Sequence, residues 1–254
     1  PAMIAYTYEA NIDKKRAATV ISFHALGWLA GIAAAGIVND LKLIFILSAA
    51  SFLIGLLFTI RLPNPEQVKE TVPGTTRKVI SKNKFLFLSL LLRHIGAAAV
   101  WVILPLMIVE KLGGELYHIS IVYTANTVTA FILMNVMASK IHLSNVTKFK
   151  IGIGGTTFVF IGLSVVTEWW MAMPFMTLVG ATWAFLFIGG NFHLMENNPR
   201  STSTGIFSST LSIATVIGPI VAGAIAFAFD YVAVMYFAIA IIVCAFVVSL
   251  KIKK

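Results

Sequence analysis

The chain has 254 residues, of which 59% are hydrophobic and only 11% charged, and its mean hydropathy is +0.92. A soluble domain carries about a quarter charged residues, so this composition excludes an ordinary soluble core and indicates a polytopic membrane protein. In a soluble protein, the net charge of +9 would suggest a nucleic-acid partner. The chain has a single cysteine, Cys244, which excludes a disulfide framework.

Eight apolar segments are predicted to cross the membrane as helices, each of which needs about 20 residues. In chain order they are Ala17–Val38, Leu43–Ile60, Phe85–Val109, Tyr117–Ser139, Ile151–Val166, Trp170–Met195, Gly205–Phe229 and Val232–Leu250. The fifth is short, and an extension back to Phe149 is left open. Apolar runs of this kind exclude transmembrane strands, which cross in about 10 residues and alternate in polarity. The fold class predicted is therefore an all-α polytopic membrane protein.

The basic residues lie almost entirely on one side of these segments. If the Asp13–Arg16 end is cytoplasmic and the segments alternate, 16 of the 19 lysines and arginines are cytoplasmic. Only Lys42 and Lys111 then face outside, and Arg93 lies within a segment. This bias follows the positive-inside rule, and it explains the net charge without a nucleic-acid partner. It predicts a multi-pass protein of the cell membrane with a cytoplasmic C-terminus.

The longest connection divides the chain into three parts. Residues 61–84 contain six basic residues and three prolines, which interrupt the flanking helices. Residues 1–60 contain two of the predicted helices, and residues 61–84 form a loop that is cytoplasmic on this assignment. Residues 85–254 contain the other six predicted helices.

Two apolar stretches 187 positions apart share a pattern of small residues. Residues 27–36 and 214–223 both read small-xxx-Gly-xxx-small-Gly. The motif residues singled out are Gly27, Gly31, Gly36, Gly218, Pro219 and Gly223. Small residues let neighbouring helices approach closely, and internal repeats are typical of transporters.

This organisation resembles the major facilitator superfamily, whose members join two six-helix bundles by a long cytoplasmic loop. The resemblance implies that the chain corresponds to family helices five to twelve, with Pro1–Ala5 ending the fourth. Residues 1–60 would then be the last two helices of the N-terminal bundle, residues 61–84 the cytoplasmic inter-bundle loop, and residues 85–254 the C-terminal six-helix bundle. The missing N-terminal helices are then expected in the same polypeptide, and residues 1–254 are not expected to transport alone.

The glycine pattern resembles the family's antiporter motif on the fifth helix, echoed on the eleventh. The resemblance implies a contact between the two bundles at these glycines, so Gly31→Leu is expected to jam or misassemble the bundles and to prevent normal transport.

The resemblance implies a secondary active transporter of small solutes that works by alternating access. Efflux by antiport is expected from the glycine motif, and an uptake symporter of the same family is the alternative. A non-transporting scaffold or sensor is a further alternative. A water-accessible Arg93 would favour transport, whereas an Arg93 sealed in packing would favour the scaffold.

Arg93 and His94 are the strongest candidates for a substrate site. They lie about eight residues from the cytoplasmic end of their segment, or roughly 12 Å along a helix. An arginine at such a depth is costly, so it should face a bundle interior or a water-filled cavity. Either Arg93 binds an anionic or polar group, or its side chain snorkels to the headgroups. His94 is expected to hydrogen-bond a neighbouring helix, with a proton-coupling site as the alternative.

Three further residues are candidates for a cavity wall. Tyr123 and Asn126 are three apart and share one helical face, which either lines a cavity or makes interhelical hydrogen bonds. Trp101 either stacks on a substrate or packs as a buried aromatic.

No His-Glu-x-x-His motif, cysteine pair or Ser-His-Asp grouping occurs near one membrane face, so no enzyme activity is predicted. No metal site or cofactor is predicted, and the expected partners are a small-molecule substrate and the lipid bilayer.

Overall fold

The computed structural model describes residues 14–38, 40–61, 75–139 and 141–253, and within these ranges the chain is helical without strands. The helices are α1 (Lys14–Val38), α2 (Leu41–Ile60), α3 (Thr75–Lys82), α4 (Lys84–Glu110), α5 (Leu116–Ser139), α6 (Asn145–Leu163), α7 (Ala172–Asn197), α8 (Arg200–Ala228) and α9 (Tyr231–Leu250). A 3-10 turn at Trp169–Met171 precedes α7. Every helix except α3 is long and apolar enough to cross a membrane, which confirms the predicted all-α polytopic fold.

Several helix ends are set by polar caps. Ser144 precedes α6, and its hydroxyl accepts the amide of Thr147 at 3.1 Å. This bond satisfies one of the free amides of the first turn, so α6 begins six residues before the predicted Ile151. The predicted boundary was wrong because the apolar run begins later than the helix, whose first turns are polar. Asp230 caps α9 in the same way, accepting the amide of Ala233 at 2.7 Å.

Part of the predicted inter-bundle loop is helical. Helix α3 occupies the last third of residues 61–84 and buries Val79 against the bundle, where α3 packs on α8. Residues 62–74 and the Pro1–Ala5 end of the expected fourth family helix lie outside the described residues.

Helices α4 to α9 pack into one bundle. Helix α4 contacts α8 and α9, while α6 contacts α7 and α9, and α5 contacts α7. Helix α1 packs along α5, on the outside of this bundle. Helix α2 contacts chiefly α1, and none of its described side chains is buried. The core therefore lies within α4–α9, and α1 adds a second wall beside α5.

Candidate functional site

Two close helix crossings hold α4 in place next to Arg93. A β-carbon added at Gly96 would lie 2.8 Å from Ile241 Cγ2, on α9. A β-carbon added at Gly218, on α8, would lie 2.6 Å from the carbonyl oxygen of Ile95. Only glycine permits such approaches, so α4 is fixed between α8 and α9 within one turn of Arg93.

The Arg93 side chain is buried in the bundle and is only 2% exposed. Its Nε and Nη2 atoms both donate to the Thr156 hydroxyl, over 3.3 and 3.2 Å, and this hydroxyl donates to the Gly152 carbonyl at 2.7 Å. No carboxylate in the described ranges pairs with Arg93. The guanidinium thus points towards α6 and does not snorkel to the end of α4. Among the described residues, the neutral Thr156 hydroxyl is its one hydrogen-bond partner.

Trp183, on α7, contacts both members of the Arg93–His94 pair. The Arg93 guanidinium carbon lies 5.4 Å from the centre of the indole ring, a cation–π distance. The His94 ring stacks on the same indole with ring centres 5.6 Å apart. His94 Nδ1 is buried and has no hydrogen-bond partner in the described part of the chain. The interhelical hydrogen bond expected of His94 is therefore not made by Nδ1.

Tyr123 and Trp101 join α5 to α4. The Tyr123 hydroxyl donates to the Trp101 carbonyl at 2.9 Å, and the two rings lie 5.1 Å apart. Of the two roles left open for Tyr123, the structure shows the interhelical hydrogen bond. Because Trp101 also lines a cavity between α4, α5 and α7, this bond holds one wall of that cavity.

Asn126 is buried where α5 meets α7. Gly180 packs directly against the Asn126 backbone carbonyl, so the two helices touch at this level. The Asn126 side chain is 5% exposed, and its Oδ1 atom has no hydrogen-bond partner among the described residues. A buried polar atom without a partner is costly, and in native structures it calls for an explanation.

The cavity, of about 30 Å³, brings the candidate residues together. Helices α4, α5 and α7 supply most of its wall, and α1 closes it with His24, Ala25 and Trp28. The remaining lining residues are Arg93, His94, Trp101, Asn126, Thr127, Ala130, Val179 and Trp183. Four of the five candidate residues therefore line one space, and the fifth, Tyr123, is hydrogen-bonded to its wall. Thr156, the partner of Arg93, was not singled out from the sequence, because a threonine in a glycine-rich apolar helix carries no distinctive signal.

The repeated glycine motif has different surroundings in its two copies. Gly36 packs on α5, where an added β-carbon would lie 2.5 Å from the Ser120 Cβ, and Gly218 packs on α4. Around Gly27, Gly31 and Gly223, no described atom lies within 4 Å of an added β-carbon. Close approach is thus observed at one glycine of each copy, and for Gly27 and Gly31 it stays a prediction.

A larger open cleft lies at the basic end of the bundle and is separate from the Arg93 cavity. It has a volume of about 810 Å³, and its lining includes Lys82, Lys148 and Lys251. His193 and Glu196 also line it. Within the described residues no three His, Cys, Asp or Glu side chains come together as a metal-binding group.

Comparisons with known proteins agree with the architecture. No protein-family model matches the chain, and no curated protein matches it. Among solved structures, the chain is similar to FucP, a major facilitator superfamily transporter in the outward conformation. The TM-score is 0.56 with 14% sequence identity, over 83% of this chain and 54% of that one.

The chain has a major-facilitator-type helical fold and is a multi-pass membrane protein. It spans about half the length of the solved transporter that it resembles. Its eight membrane-length helices, α1, α2 and α4–α9, fit part of this fold.

Proposed function

We propose that this chain is part of a secondary active transporter of small solutes that works by alternating access. The observation that supports it is a buried arginine beside a cavity, with no carboxylate partner in the described ranges. An ionisable side chain within membrane-spanning helices is expensive and by default indicates a substrate or ion pathway. In transporters built from repeated halves, such sites lie at the junction between the halves.

The walls of the cavity support alternating access. Helix α1 precedes the inter-bundle connection and supplies one wall, whereas α4, α5 and α7 follow that connection and supply the others. A volume of about 30 Å³ accommodates roughly one water molecule, so a solute can enter only when α1 moves away from α5 and α7. Rocking of one bundle against the other is a movement of this kind.

We further propose efflux by antiport, which the repeated glycine motif supports, with an uptake symporter of the same family as the alternative. The proposed orientation has the C-terminus in the cytoplasm of the cell, as the distribution of basic residues favours. In a Cys244→Ala background, which removes the exposed native thiol, an impermeant thiol reagent should then label a Lys253→Cys variant only after the cells are permeabilised. Helices that precede Pro1 in the native polypeptide are proposed to complete the cavity.

Counterflow in proteoliposomes tests the function. The native polypeptide containing this sequence is reconstituted and assayed for exchange of radiolabelled benzoate, glucose and lysine, which represent an anion, a neutral solute and a cation. We expect counterflow of at least one solute, its loss in Arg93→Gln, and its retention in the matched variant Arg77→Gln, which alters an exposed arginine on α3. Counterflow that is absent for all three, or unchanged by Arg93→Gln, would contradict the proposal.

A non-transporting scaffold or sensor is the second candidate function. It is favoured by the 2% exposure of Arg93 and by the small size of the cavity, which together describe a sealed site. The two candidates differ in whether water ever reaches this cavity, which can be measured directly.

A further inference from the structure

We infer that the Arg93 cavity binds the carboxylate end of a small organic acid that has a planar apolar body and a second hydrogen-bonding group. This inference rests on the proposed function, since it names the substrate class of the same site. It adds to that function three requirements: the charge of the solute, its shape and its polar contacts.

The charge follows from Arg93. The guanidinium has five N–H donors, and the structure gives it one acceptor among the described residues, the Thr156 hydroxyl, at long distances of 3.2 and 3.3 Å. No described carboxylate balances its charge. Arginine suits a bidentate carboxylate because its planar fork matches the two oxygens, so a carboxylate would supply both the missing acceptors and the missing negative charge.

The second hydrogen-bonding group follows from two buried atoms without partners. Asn126 Oδ1 and His94 Nδ1 both belong to residues that line the cavity, and neither has a hydrogen-bond partner in the described ranges. Leaving such atoms unpaired is costly, whereas a ligand hydroxyl or amine can donate to the Asn126 oxygen. These two atoms come from different helices, α5 and α4, so a ligand that bonds both would also link those helices.

The planar apolar body follows from the aromatic walls. Trp183 lies under both Arg93 and His94, and Trp28 and Trp101 line the same cavity from α1 and α4. Flat aromatic rings favour offset stacking on another flat surface. Trp28 is 51% exposed and lies on α1, so movement of α1 would leave an indole-lined slot next to the guanidinium.

Binding of 4-hydroxybenzoate tests this inference independently of transport. Equilibrium dialysis compares radiolabelled 4-hydroxybenzoate with 4-hydroxybenzamide, which has the same shape without the charge, and with acetate, which lacks the planar body. The native polypeptide containing this sequence is used in lipid nanodiscs. We expect 4-hydroxybenzoate to bind at least about tenfold more tightly than either analogue. The amide should bind less tightly because hydrogen bonds to charged groups are the stronger ones, and acetate should bind less tightly because it has no planar body to stack on the indoles.

Variants link this preference to the site. Arg93→Gln should remove the preference for carboxylate over amide, Arg93→Lys should reduce it, and the surface variant Arg77→Gln should preserve it. If Arg93→Gln fails to fold, the wild-type comparison and Arg93→Lys still test the inference.

Equal binding of carboxylate and amide, or no binding of either, would overturn it. A protein that binds 4-hydroxybenzoate selectively yet shows no counterflow of 4-hydroxybenzoate or of the three other solutes would refute the transporter and leave this inference standing, whereas counterflow without carboxylate preference would do the reverse.

Discussion

The guanidinium carbon of Arg93 lies 5.4 Å from the centre of the Trp183 ring, with its positive charge over the electron-rich face of the indole. In the described part of the chain, this ring and the Thr156 hydroxyl are what stabilise the charge inside the bundle. A desolvated cation–π contact contributes about 2 kcal/mol. This is less than the desolvation penalty of a buried ion, which is several kcal/mol. Within the described residues the charge of Arg93 is therefore not neutralised by a carboxylate, as the proposed anion site requires.

Trp183→Leu should lower solute counterflow by about tenfold or more, because it removes a cation–π contact worth about 2 kcal/mol and the surface on which His94 stacks. The measurement is initial counterflow in proteoliposomes containing the native polypeptide. Trp170→Leu is the matched control, since Trp170 is 54% exposed and lies outside the cavity. Equal effects of the two substitutions would show that Trp183 has no special role.

Asn126→Leu and Asn135→Leu should change stability in opposite directions, although both replace an asparagine on α5. Asn126 Oδ1 has no partner among the described residues, so an apolar side chain there relieves an unpaired polar atom and should raise the melting temperature. The Asn135 side-chain amide donates to Ser22 at 2.8 Å and to the Phe131 carbonyl at 2.9 Å, so its loss should lower the melting temperature.

The same pair separates stability from function. Asn126→Leu should reduce counterflow while it stabilises the protein, as expected where a polar atom is kept for ligand binding. Thermal unfolding of the purified native polypeptide, measured beside its counterflow, checks both parts. An Asn126→Leu protein that is destabilised, or that transports as well as wild type, would count against Asn126 as a ligand group.

The sequence predicts the features of this site that are local in the chain, but not its contacts between residues far apart in the chain. The depth of Arg93 in an apolar segment was enough to expect burial, and the three-residue spacing of Tyr123 and Asn126 was enough to place them on one face. The contact between Arg93 and Thr156 joins α4 to α6, 63 positions apart, and depends on how the helices cross. The positions of α4 and α6 follow from their packing on other helices: Gly96 of α4 packs on α9, Gly218 of α8 packs on α4, and Gly152 of α6 packs on α7. These close approaches leave no periodic signal near Arg93.

The glycine repeat also shows that a local sequence pattern does not predict which helices come into contact. Gly31 and Gly218 occupy equivalent positions in the two copies, yet only Gly218 is in close contact with another described helix. A local pattern predicts that a helix can be approached closely but does not say which neighbour approaches it. The predicted start of α6 was wrong for a related reason, because the polar first turns of the helix precede its apolar run.

Gly218→Ala should destabilise the bundle by about 1–3 kcal/mol, because the new methyl group would lie 2.6 Å from the Ile95 carbonyl oxygen and force α8 away from α4. The expected fall in melting temperature is about 2–10 °C. Gly223→Ala is a matched control five residues further along α8, with no described atom within 4 Å of the new methyl group. Thermal unfolding of the two variants in the same detergent gives the comparison, and an equal shift for both would argue against the α4–α8 crossing.

Water access to the cavity distinguishes the transporter from the scaffold. Ala130 lines the cavity and is 3% exposed, whereas Ala184 is fully buried and lies outside the cavity lining. In a Cys244→Ala background, which removes the exposed native thiol, an alternating-access protein should expose Ala130→Cys intermittently to a small water-soluble thiol reagent. The same reagent should leave Ala184→Cys unmodified, because bundle rocking does not open the interior of the six-helix bundle. A ligand that holds the cavity closed or open should change the rate of labelling at Ala130→Cys and have no effect at Ala184→Cys. A scaffold with a permanently sealed Arg93 would protect both cysteines equally, whatever solute is present.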